Sequence, residues 1–520
     1  MLRYTSSKSS KMNLFLHQKR PVFRFFMLFC LIIPVITQAQ NKRIVKAEID
    51  FQNPAQWIEG FGASDAWTCQ FAGLWPEDKK NRMADLLFSN KFDKAGNPLG
   101  IGLNFWRFAI GGGSTEQGKA SGIRDEWRRQ PSFLNINGSY NENAMQGQIW
   151  FMNAAKARGV KNFLGFVNSP HVNFTLNQKA FSSDGKCNLD FGKADAFSLD
   201  LARAIKIIKK KTGIDLDYIS PINEPQWKWN EGKQEGCPYT NQEIANLVKN
   251  LSRTLNQAGL KTKIQIAEAG QLNYLTNHPD SVKSRQIEYF FDPNSIGYLG
   301  DLKNLDRSIS GHSYFTTSPE QKSIQIRNNV RENIAKYDQL RFWMSEYCVL
   351  GDSLLKGQGR DLGMTTALFI AKLVHYDLVY ANASSWQWWL ALSIGDYKDG
   401  LVYIDKSKTD GKVYDSKMLW AFGNYSRFIP AGSVRIPIKV ADEKDVYLSS
   451  YLKDNKIITV AVNYSDEPIH LELSGMDKTR KNIAVYTTSA SLNLAPSVSA
   501  PDHINLPAKS ITTLIAYREK

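Results

Sequence analysis

Short runs of apolar, β-prone residues alternate with helix-sized segments between about residues 57 and 405. In the segment 194–211, apolar residues recur every three or four positions, most clearly at Leu199, Ala202, Ile205 and Ile208, which predicts an amphipathic helix. Eight such strand–helix repeats favour an α/β fold closed as a (β/α)8 TIM barrel over an open, doubly wound sheet. The predicted barrel strands are Ile58–Ser64, Asn104–Ile110, Asn162–Asn168, Tyr218–Asn223, Lys263–Glu268, Ser308–Tyr314, Arg341–Glu346 and Ser384–Leu390.

The pattern changes after about residue 411. Short alternating runs separated by turn-rich pieces follow one another with no helical period, which predicts an associated antiparallel β-sandwich domain. Near the other end of the chain, Val45, Ala47, Ile49 and Phe51 alternate in the same way. We therefore expect this early segment to add a strand to the sandwich and to bring the two ends of the chain together.

The first 39 residues have the composition of a secretory signal peptide. Six basic and no acidic residues precede an apolar run from Phe25 to Ile36, and Ala39 follows as a small residue before a predicted cleavage site. The apolar run is shorter than the roughly 20 residues that span a membrane, so no stable membrane anchor is predicted. The start codon is either Met1 or Met12. The predicted organisation is a signal peptide at 1–39, a sandwich strand segment at 40–56, the barrel at 57–410 and the C-terminal β-sandwich at 411–520, in a secreted or periplasmic protein.

Composition narrows the functional classes. Removal of the leader lowers the formal net charge from +15 to +9, because it takes six basic residues and no acidic one. The remaining charge fits either an ordinary surface or a preference for acidic polysaccharides. Dense Lys/Arg patches and nucleic-acid motifs are absent, so no nucleic-acid partner is predicted. Neither CxxC nor HExxH occurs, so no metal site is predicted.

Four cysteines remain after the leader: Cys69, Cys187, Cys237 and Cys348. Four cysteines allow three pairings, and the sequence does not choose among them. Cys187 and Cys237 lie in the predicted loops after two adjacent strands, so a disulfide between them is a hypothesis.

Polar and aromatic side chains follow the predicted strands at their carboxyl ends, where TIM barrels hold their functional residues. Glu224 ends the fourth strand and Glu346 ends the seventh, and strands four and seven face each other across a barrel. Two carboxyl groups in one cleft are what glycoside hydrolysis needs, one as proton donor and one as nucleophile or base. The candidate substrate-binding residues at these ends are Asp65, Trp67, Arg107, Asn168, His171, Asn223, Trp227, Glu268, His312, Tyr314, Trp386 and Trp388.

Several of these residues have two interpretations. Arg107 and the Tyr314 hydroxyl are predicted to stabilise an anion at Glu346. Glu268 either binds a sugar hydroxyl or sits in a structural ion pair, and Trp227 either stacks on a sugar or packs its loop. His312 is predicted to bind by hydrogen bonds rather than to act as a base. Strand alternation puts Trp386 and Trp388 on one face, with one of them expected at the cleft floor.

Four motifs resemble glycoside hydrolase family 30. They are Asn223–Pro225, Ser345–Tyr347, Glu59–Gly62 and Arg107–Gly111. The resemblance covers nearly the whole chain after the leader, because members of this family carry a β-sandwich built from both chain ends. It implies a retaining enzyme that needs no cofactor and acts on a polysaccharide or oligosaccharide, with Glu224 as acid/base and Glu346 as nucleophile.

Within this family, Gly60–Trp67 and Gly111–Gly118 most resemble the endo-β-1,6-galactanase branch. The segment Asn168–Val172 reads Asn-Ser-Pro-His-Val and departs from the common family pattern, which changes a subsite wall. The predicted activity is hydrolysis of (arabino)galactan side chains by double displacement. A β-1,6-glucanase and a glucuronoxylanase are alternatives within the family. A non-catalytic polysaccharide-binding protein is the alternative of another class.

Overall fold

The computed structural model describes residues 43–351, 355–441, 444–475 and 482–518. The predicted signal peptide lies outside the described residues. The strands of the first part of the chain are β1 (Arg43–Ile49), β2 (Trp57–Ile58), β3 (Gly60–Ser64), β4 (Phe105–Ala109), β5 (Asn162–Phe166), β6 (Tyr218–Ser220), β7 (Lys263–Ala269), β8 (Leu305–His312), β9 (Arg341–Tyr347), β10 (Ala383–Ser393), β11 (Gly400–Ile404) and β12 (Val413–Asp415). Those of the last part are β13 (Ser433–Ile436), β14 (Ile438–Val440), β15 (Val446–Lys453), β16 (Lys456–Asn463), β17 (Ile469–Ser474), β18 (Ile483–Thr488), β19 (Ala495–Ser499), β20 (Ile504–Leu506) and β21 (Ser510–Tyr517).

Strands β3 to β10 form the barrel. Each pairs in parallel with the next, and β10 pairs with both β9 and β3, which closes the sheet. All eight overlap the strands predicted from the sequence, so the predicted (β/α)8 fold is confirmed. Because the strands are parallel, their carboxyl ends meet at one mouth of the barrel. Strands β11 and β12 extend the sheet beyond β10.

Helices connect the strands and cover the outside of the barrel. The helices are α1 (Cys69–Ala72), α2 (Glu77–Phe88), α3 (Ser114–Gln117), α4 (Gln146–Ala157), α5 (Ala194–Thr212), α6 (Asn241–Gln257), α7 (Asn273–Thr276), α8 (Gln286–Phe291), α9 (Glu320–Ile334), α10 (Met364–Val379) and α11 (Lys417–Ser426). In α5 the predicted stripe is wrong at one position. Leu199 is 60% exposed, whereas Leu201, Ile205 and Ile208 are buried, because the buried face is centred one residue further round the helix. In the described part of the chain, no helix has the length and apolarity to cross a membrane.

The remaining strands form two further sheets, in the orders β14-β1-β17-β20 and β19-β18-β21-β16-β15-β13-β2. Strand β1 runs parallel to β17 and antiparallel to β14, so the early segment pairs with late strands. The alternation of Val45, Ala47 and Ile49 buries these side chains in a second core with residues of β16, β17 and β21. Apart from the parallel pair β1–β17, the strands of these two sheets pair antiparallel, and the predicted sandwich architecture is confirmed.

A helix interrupts the stretch after residue 411, where the sequence analysis expected only strands. Helix α11 begins after Ser416, whose hydroxyl accepts a hydrogen bond from the Leu419 N–H. It packs on α10 and also contacts β18 and β21, so it lies between the barrel and the sandwich. Its period escapes detection because apolar residues cover almost the whole helix, as expected for a helix buried on all sides.

Candidate active site

Glu224 and Glu346 lie at the carboxyl ends of β6 and β9, and both are buried. The backbone at Glu224 has a φ of 44°, a left-handed conformation that a non-glycine residue adopts only when its surroundings enforce it. Its N–H donates to the Glu268 carbonyl at 2.9 Å, and its own carbonyl accepts from Trp229 Nε1 at 3.0 Å. These bonds hold the strained turn and fix the direction of the Glu224 side chain.

The two carboxyl groups are close to each other. One carboxylate oxygen of Glu224, one of Glu346 and a ring nitrogen of His312 lie within 4.8 Å of one another. Carboxyl groups about 5–5.5 Å apart support double displacement, whereas inverting glycosidases keep them about 6.5–9.5 Å apart to admit a water molecule. The arrangement therefore suits an attack on the sugar by one carboxylate itself.

Glu346 accepts hydrogen bonds on both oxygens. Arg107 Nη1 lies 3.0 Å from Oε2, and the Tyr314 hydroxyl lies 3.2 Å from Oε1. Burial raises the pKa of the Glu346 carboxyl, and the positive charges of His312 and Arg107 oppose that rise. The predicted support of Glu346 by Arg107 and Tyr314 is present in the geometry.

His312 bridges two carboxylates. Its Nδ1 lies 2.8 Å from Glu224 Oε1, and its Nε2 lies 2.8 Å from Glu268 Oε2. Burial favours the neutral ring, but the charge of Glu346 and the hydrogen bonds to Glu224 and Glu268 outweigh it and raise the pKa of His312 to about 10. At neutral pH both ring nitrogens therefore carry a proton and donate, so His312 is a cationic donor, not a base.

Glu268 sits in an ion pair below the mouth of the barrel. Its Oε2 contacts Arg107 Nη2 at 3.4 Å and accepts from the Ser345 hydroxyl at 2.8 Å, in addition to His312. Burial alone favours the neutral acid, but Arg107 and His312 together lower the pKa of Glu268. The side chain is fully buried, and these contacts match the structural ion pair, one of the two interpretations of Glu268.

Glu224, His312 and Glu346 also satisfy the distances for a metal-binding triad. The charges around them do not fit a dication. Both nitrogens of the His312 cation donate to carboxylates, and Arg107 already occupies one oxygen of Glu346. The donor set is therefore organised for proton transfer and anion stabilisation.

A pocket of about 280 Å³ opens directly above the two glutamates. Of the predicted site residues, Trp67, Asn223, Trp227 and Tyr314 line it together with the glutamates. Its walls are aromatic and polar, as expected for a site that stacks on sugar faces and binds sugar hydroxyls. The other lining residues are Arg128, Trp229, Gln234, Phe315, Cys348, Leu350, Trp389, Tyr397 and Asp399.

One of Trp386 and Trp388 was expected at the cleft floor, but neither lines the pocket. Trp386 donates to Asp377 and packs on Phe422, and Trp388 donates to the Asp399 carbonyl. Register shifts at this level of β10 break the strict alternation. Trp389 faces the pocket instead and meets the edge of Trp67 at 5.1 Å between ring centroids.

Asp65, Asn168 and His171 are buried and are not among the residues that line this pocket. Asp65 accepts from the Ala109 N–H at 2.8 Å, and burial raises its pKa to about 8. Burial lowers the pKa of His171 to about 4, and its Nδ1 accepts from the Asn173 N–H. Direct sugar binding by these three residues stays a prediction.

Sequence reasoning missed several lining residues, because they belong to long loops without a local signal. Arg128 lies 3.6 Å above the ring of Trp67. Phe315 is 49% exposed in the pocket, has a φ of 57° and packs edge-on against Trp227. Tyr397 and Asp399 follow β10 in a loop. Two of them could have been suspected from their position in the sequence: Phe315 directly follows Tyr314, and Asp399 comes shortly after the tryptophans of β10.

The sulfur atoms of Cys187 and Cys237 are 4.0 Å apart, so the two residues face each other as thiols. A disulfide needs an S–S distance of about 2.05 Å. The hypothesised disulfide between them stays a prediction. Cys69 and Cys348 are buried elsewhere.

Known proteins resemble this chain over most of its length. The family model described as O-glycosyl hydrolase family 30 matches residues 44–403. A conserved exported protein from Bacteroides fragilis has a solved structure that is 33% identical, with a TM-score of 0.84, over 90% of this chain and 99% of that one. The glucuronoxylanase XynC of Bacillus subtilis is 25% identical over 402 residues, 74% of this chain and 81% of its own. An endo-β-1,6-galactanase of Hypocrea rufa is 23% identical over 350 residues, 64% of each chain.

Proposed function

Since this chain belongs to O-glycosyl hydrolase family 30 and is a retaining glycoside hydrolase, we propose that it is an exported endo-β-1,6-galactanase with Glu224 as acid/base and Glu346 as nucleophile. The observation that carries the catalytic assignment is the pair of buried carboxyl groups within 4.8 Å at the floor of the pocket. The two glutamates have different partners: His312 contacts Glu224, whereas Arg107 and Tyr314 contact Glu346. This difference supports the separate roles of acid/base and nucleophile.

In the first step, Glu346 attacks the anomeric carbon and a glycosyl ester forms. The bond from that carbon to the leaving oxygen breaks, and Glu224 transfers its proton to that oxygen. Arg107 and Tyr314 support the assignment of Glu346, because they hold both of its oxygens and favour its ionised form before the attack.

In the second step, a water molecule attacks the same carbon. Glu224, now a carboxylate, accepts a proton from that water, and the ester bond to Glu346 breaks. Both glutamates return to their starting states. His312 Nδ1 lies 2.8 Å from Glu224 Oε1. This contact supports the second step, because it holds the Glu224 side chain in place while Glu224 loses its proton and regains one.

The substrate assignment rests on loop sequence and pocket chemistry. Gly60–Trp67 and Gly111–Gly118 resemble the galactanase branch, and one relative is named an endo-β-1,6-galactanase. Tryptophan rings at positions 67, 227, 229 and 389 offer apolar faces to a neutral sugar. Asn223 supports hydroxyl binding, because its Oδ1 has no hydrogen-bond partner among the described residues although its side chain lines the pocket.

A glucuronoxylanase is the second candidate. The relative with the longer match bears that name, and the formal charge of +9 that remains after removal of the leader is compatible with an acidic polysaccharide.

A product profile on β-1,6-galactan, β-1,6-glucan and glucuronoxylan tests the proposal. We expect internal cleavage of galactan, a loss of at least about a thousandfold in kcat for Glu346→Gln, and wild-type activity for Glu332→Gln, an exposed glutamate of α9. Cleavage of glucuronoxylan alone would overturn the substrate assignment. Unchanged hydrolysis by Glu346→Gln would overturn the catalytic one.

A further inference from the structure

Two polar atoms in the pocket wall lack a hydrogen-bond partner among the described residues. They are Oδ1 of Asp399 and Nε1 of Trp67. Asp399 is 5% exposed and Trp67 is 6% exposed, and both side chains line the pocket. A buried polar group without a partner destabilises the folded state, so two such groups in one pocket wall point to a ligand that satisfies both.

Both residues are fixed in place before any ligand binds. Trp67 follows β3 with a φ of 58° and packs against the Arg128 guanidinium and, in a T-shaped contact, against the ring of Trp389. The carbonyl of Asp399 accepts from Trp388 Nε1 at 2.7 Å, which ties the loop after β10 to its own strand. A preorganised donor and acceptor can discriminate between ligands, because neither has to reorder on binding.

We propose that Asp399, together with the indole N–H of Trp67, is a specificity-determining site for a neutral sugar in the pocket. Asp399 accepts a hydrogen bond from a sugar hydroxyl, and Trp67 donates one to a sugar oxygen. A hydroxyl group can both donate and accept, whereas a carboxylate can only accept. A uronic acid carboxylate at this position leaves Oδ1 of Asp399 without a donor and places two acidic groups side by side. This inference rests on the glycosidase function proposed for the pocket.

Arg128 does not offset this selectivity. Its guanidinium lies over Trp67, where it faces the negative charges of Asp399 and Asp125. Burial lowers the pKa of Arg128, and the negative charges of Asp399 and Asp125 oppose that shift. The positive charge of Arg128 is therefore partly offset by acidic groups of the protein itself.

The test compares Asp399→Leu, which has a similar size and no hydrogen-bonding group, with Asp399→Asn, which keeps an acceptor and removes the charge. Asp410→Asn is the matched control, because this aspartate is exposed and lies outside the pocket. The readout is kcat/KM on whichever neutral glycan, β-1,6-galactan or β-1,6-glucan, the wild type cleaves faster, and on glucuronoxylan, together with Tm.

We expect Asp399→Leu to lose about 10- to 100-fold in kcat/KM on the neutral glycan, as for a lost hydrogen bond to a charged group. Asp399→Asn is expected to lose less and to raise the activity on glucuronoxylan relative to the neutral glycan. Neutral-glycan activity of Asp399→Leu equal to that of Asp410→Asn overturns the inference. Should Asp399→Leu fail to fold, an unchanged activity ratio in Asp399→Asn overturns it equally.

The outcomes separate this inference from the proposed function. A wild type that prefers β-1,6-glucan overturns the galactan assignment and leaves the comparison at Asp399 intact. A galactan-cleaving wild type whose Asp399 variants match the control supports the function and overturns the role of Asp399. A wild type that cleaves only glucuronoxylan overturns both, because a pocket that accepts only the acidic glycan does not reject a carboxylate.

Discussion

Arg107 Nη1 lies 3.0 Å from Oε2 of Glu346, and the two side chains are almost fully excluded from solvent. Arg107 comes from β4 and Glu346 from β9, so the contact crosses the interior of the barrel. Burial raises the pKa of Glu346, and this guanidinium is one of two cations that oppose the rise. The ionised fraction of the proposed nucleophile therefore depends on Arg107.

Arg107→Met should shift the acidic limb of the kcat/KM profile to higher pH. The nucleophile must be ionised, so activity falls as pH drops through its pKa, and losing a positive neighbour raises that pKa. Arg107→Lys, which keeps the charge, should shift the limb less. Profiles measured from pH 4 to 8 check both variants. Identical acidic midpoints in wild type and Arg107→Met would contradict the role given to this contact.

Tyr314→Phe should lower kcat/KM by about 10- to 100-fold without unfolding the protein. The hydroxyl donates to Glu346 Oε1 at 3.2 Å, and a hydrogen bond to a charged group contributes about 1.5–3 kcal/mol. The ring still packs on Tyr347, so the fold should be retained. Steady-state kinetics and a melting curve measure the two effects. A variant with wild-type kinetics would show that Arg107 alone holds Glu346.

The sequence predicts the barrel and its catalytic pair well, for a physical reason. Parallel strands buried on both faces must be apolar and bounded by polar ends, so their carboxyl ends are visible in the sequence. Glu224, Glu346, Arg107, Glu268, His312 and Tyr314 all come from such ends, and the structure joins them in one network.

The sequence predicts only part of the pocket wall. Arg128, which ends a short 3-10 helix, and Asp399, which lies in a loop, belong to segments whose paths depend on tertiary contacts with no local pattern. Trp389 shows a second limit, because alternation predicts its direction only in a regular strand, and register shifts interrupt β10 near this residue.

Export should leave a mature protein that begins at Gln40. The basic region, the short apolar run and Ala39 predict cleavage after residue 39. N-terminal sequencing of protein recovered outside the cytoplasm of an expressing bacterium checks this, with Ala39→Tyr as the variant that should block processing. Recovery of an uncleaved chain with Met1 or Met12 at its start would contradict the predicted leader.

Oxidation should join Cys187 to Cys237. Their sulfur atoms are 4.0 Å apart, so a small movement of the two loops brings them to bonding distance. A thiol–disulfide oxidant accepts the two electrons and both protons as the bond forms. Titration of the unfolded, oxidised protein should find two thiols fewer than after reduction, and Cys187→Ser should remove the difference. Equal titrations with and without reductant would rule the disulfide out.

His312 should make the protein less stable at alkaline pH. Its neighbours raise its pKa to about 10 in the folded state, against about 6.5 in an unfolded chain. A raised pKa contributes stability that is fully present below pH 6.5 and is lost as pH rises through about 10. The wild-type Tm should therefore fall across this window.

His312→Gln, which keeps a donor but does not titrate, should be less stable at pH 6 and have a flatter Tm profile up to pH 10. His312 is fully buried between the carboxyl groups of Glu224, Glu268 and Glu346. Parallel Tm profiles for the two proteins would therefore mean that the ring is neutral in the folded state. That result would also contradict the proposal that a cationic His312 supports Glu224.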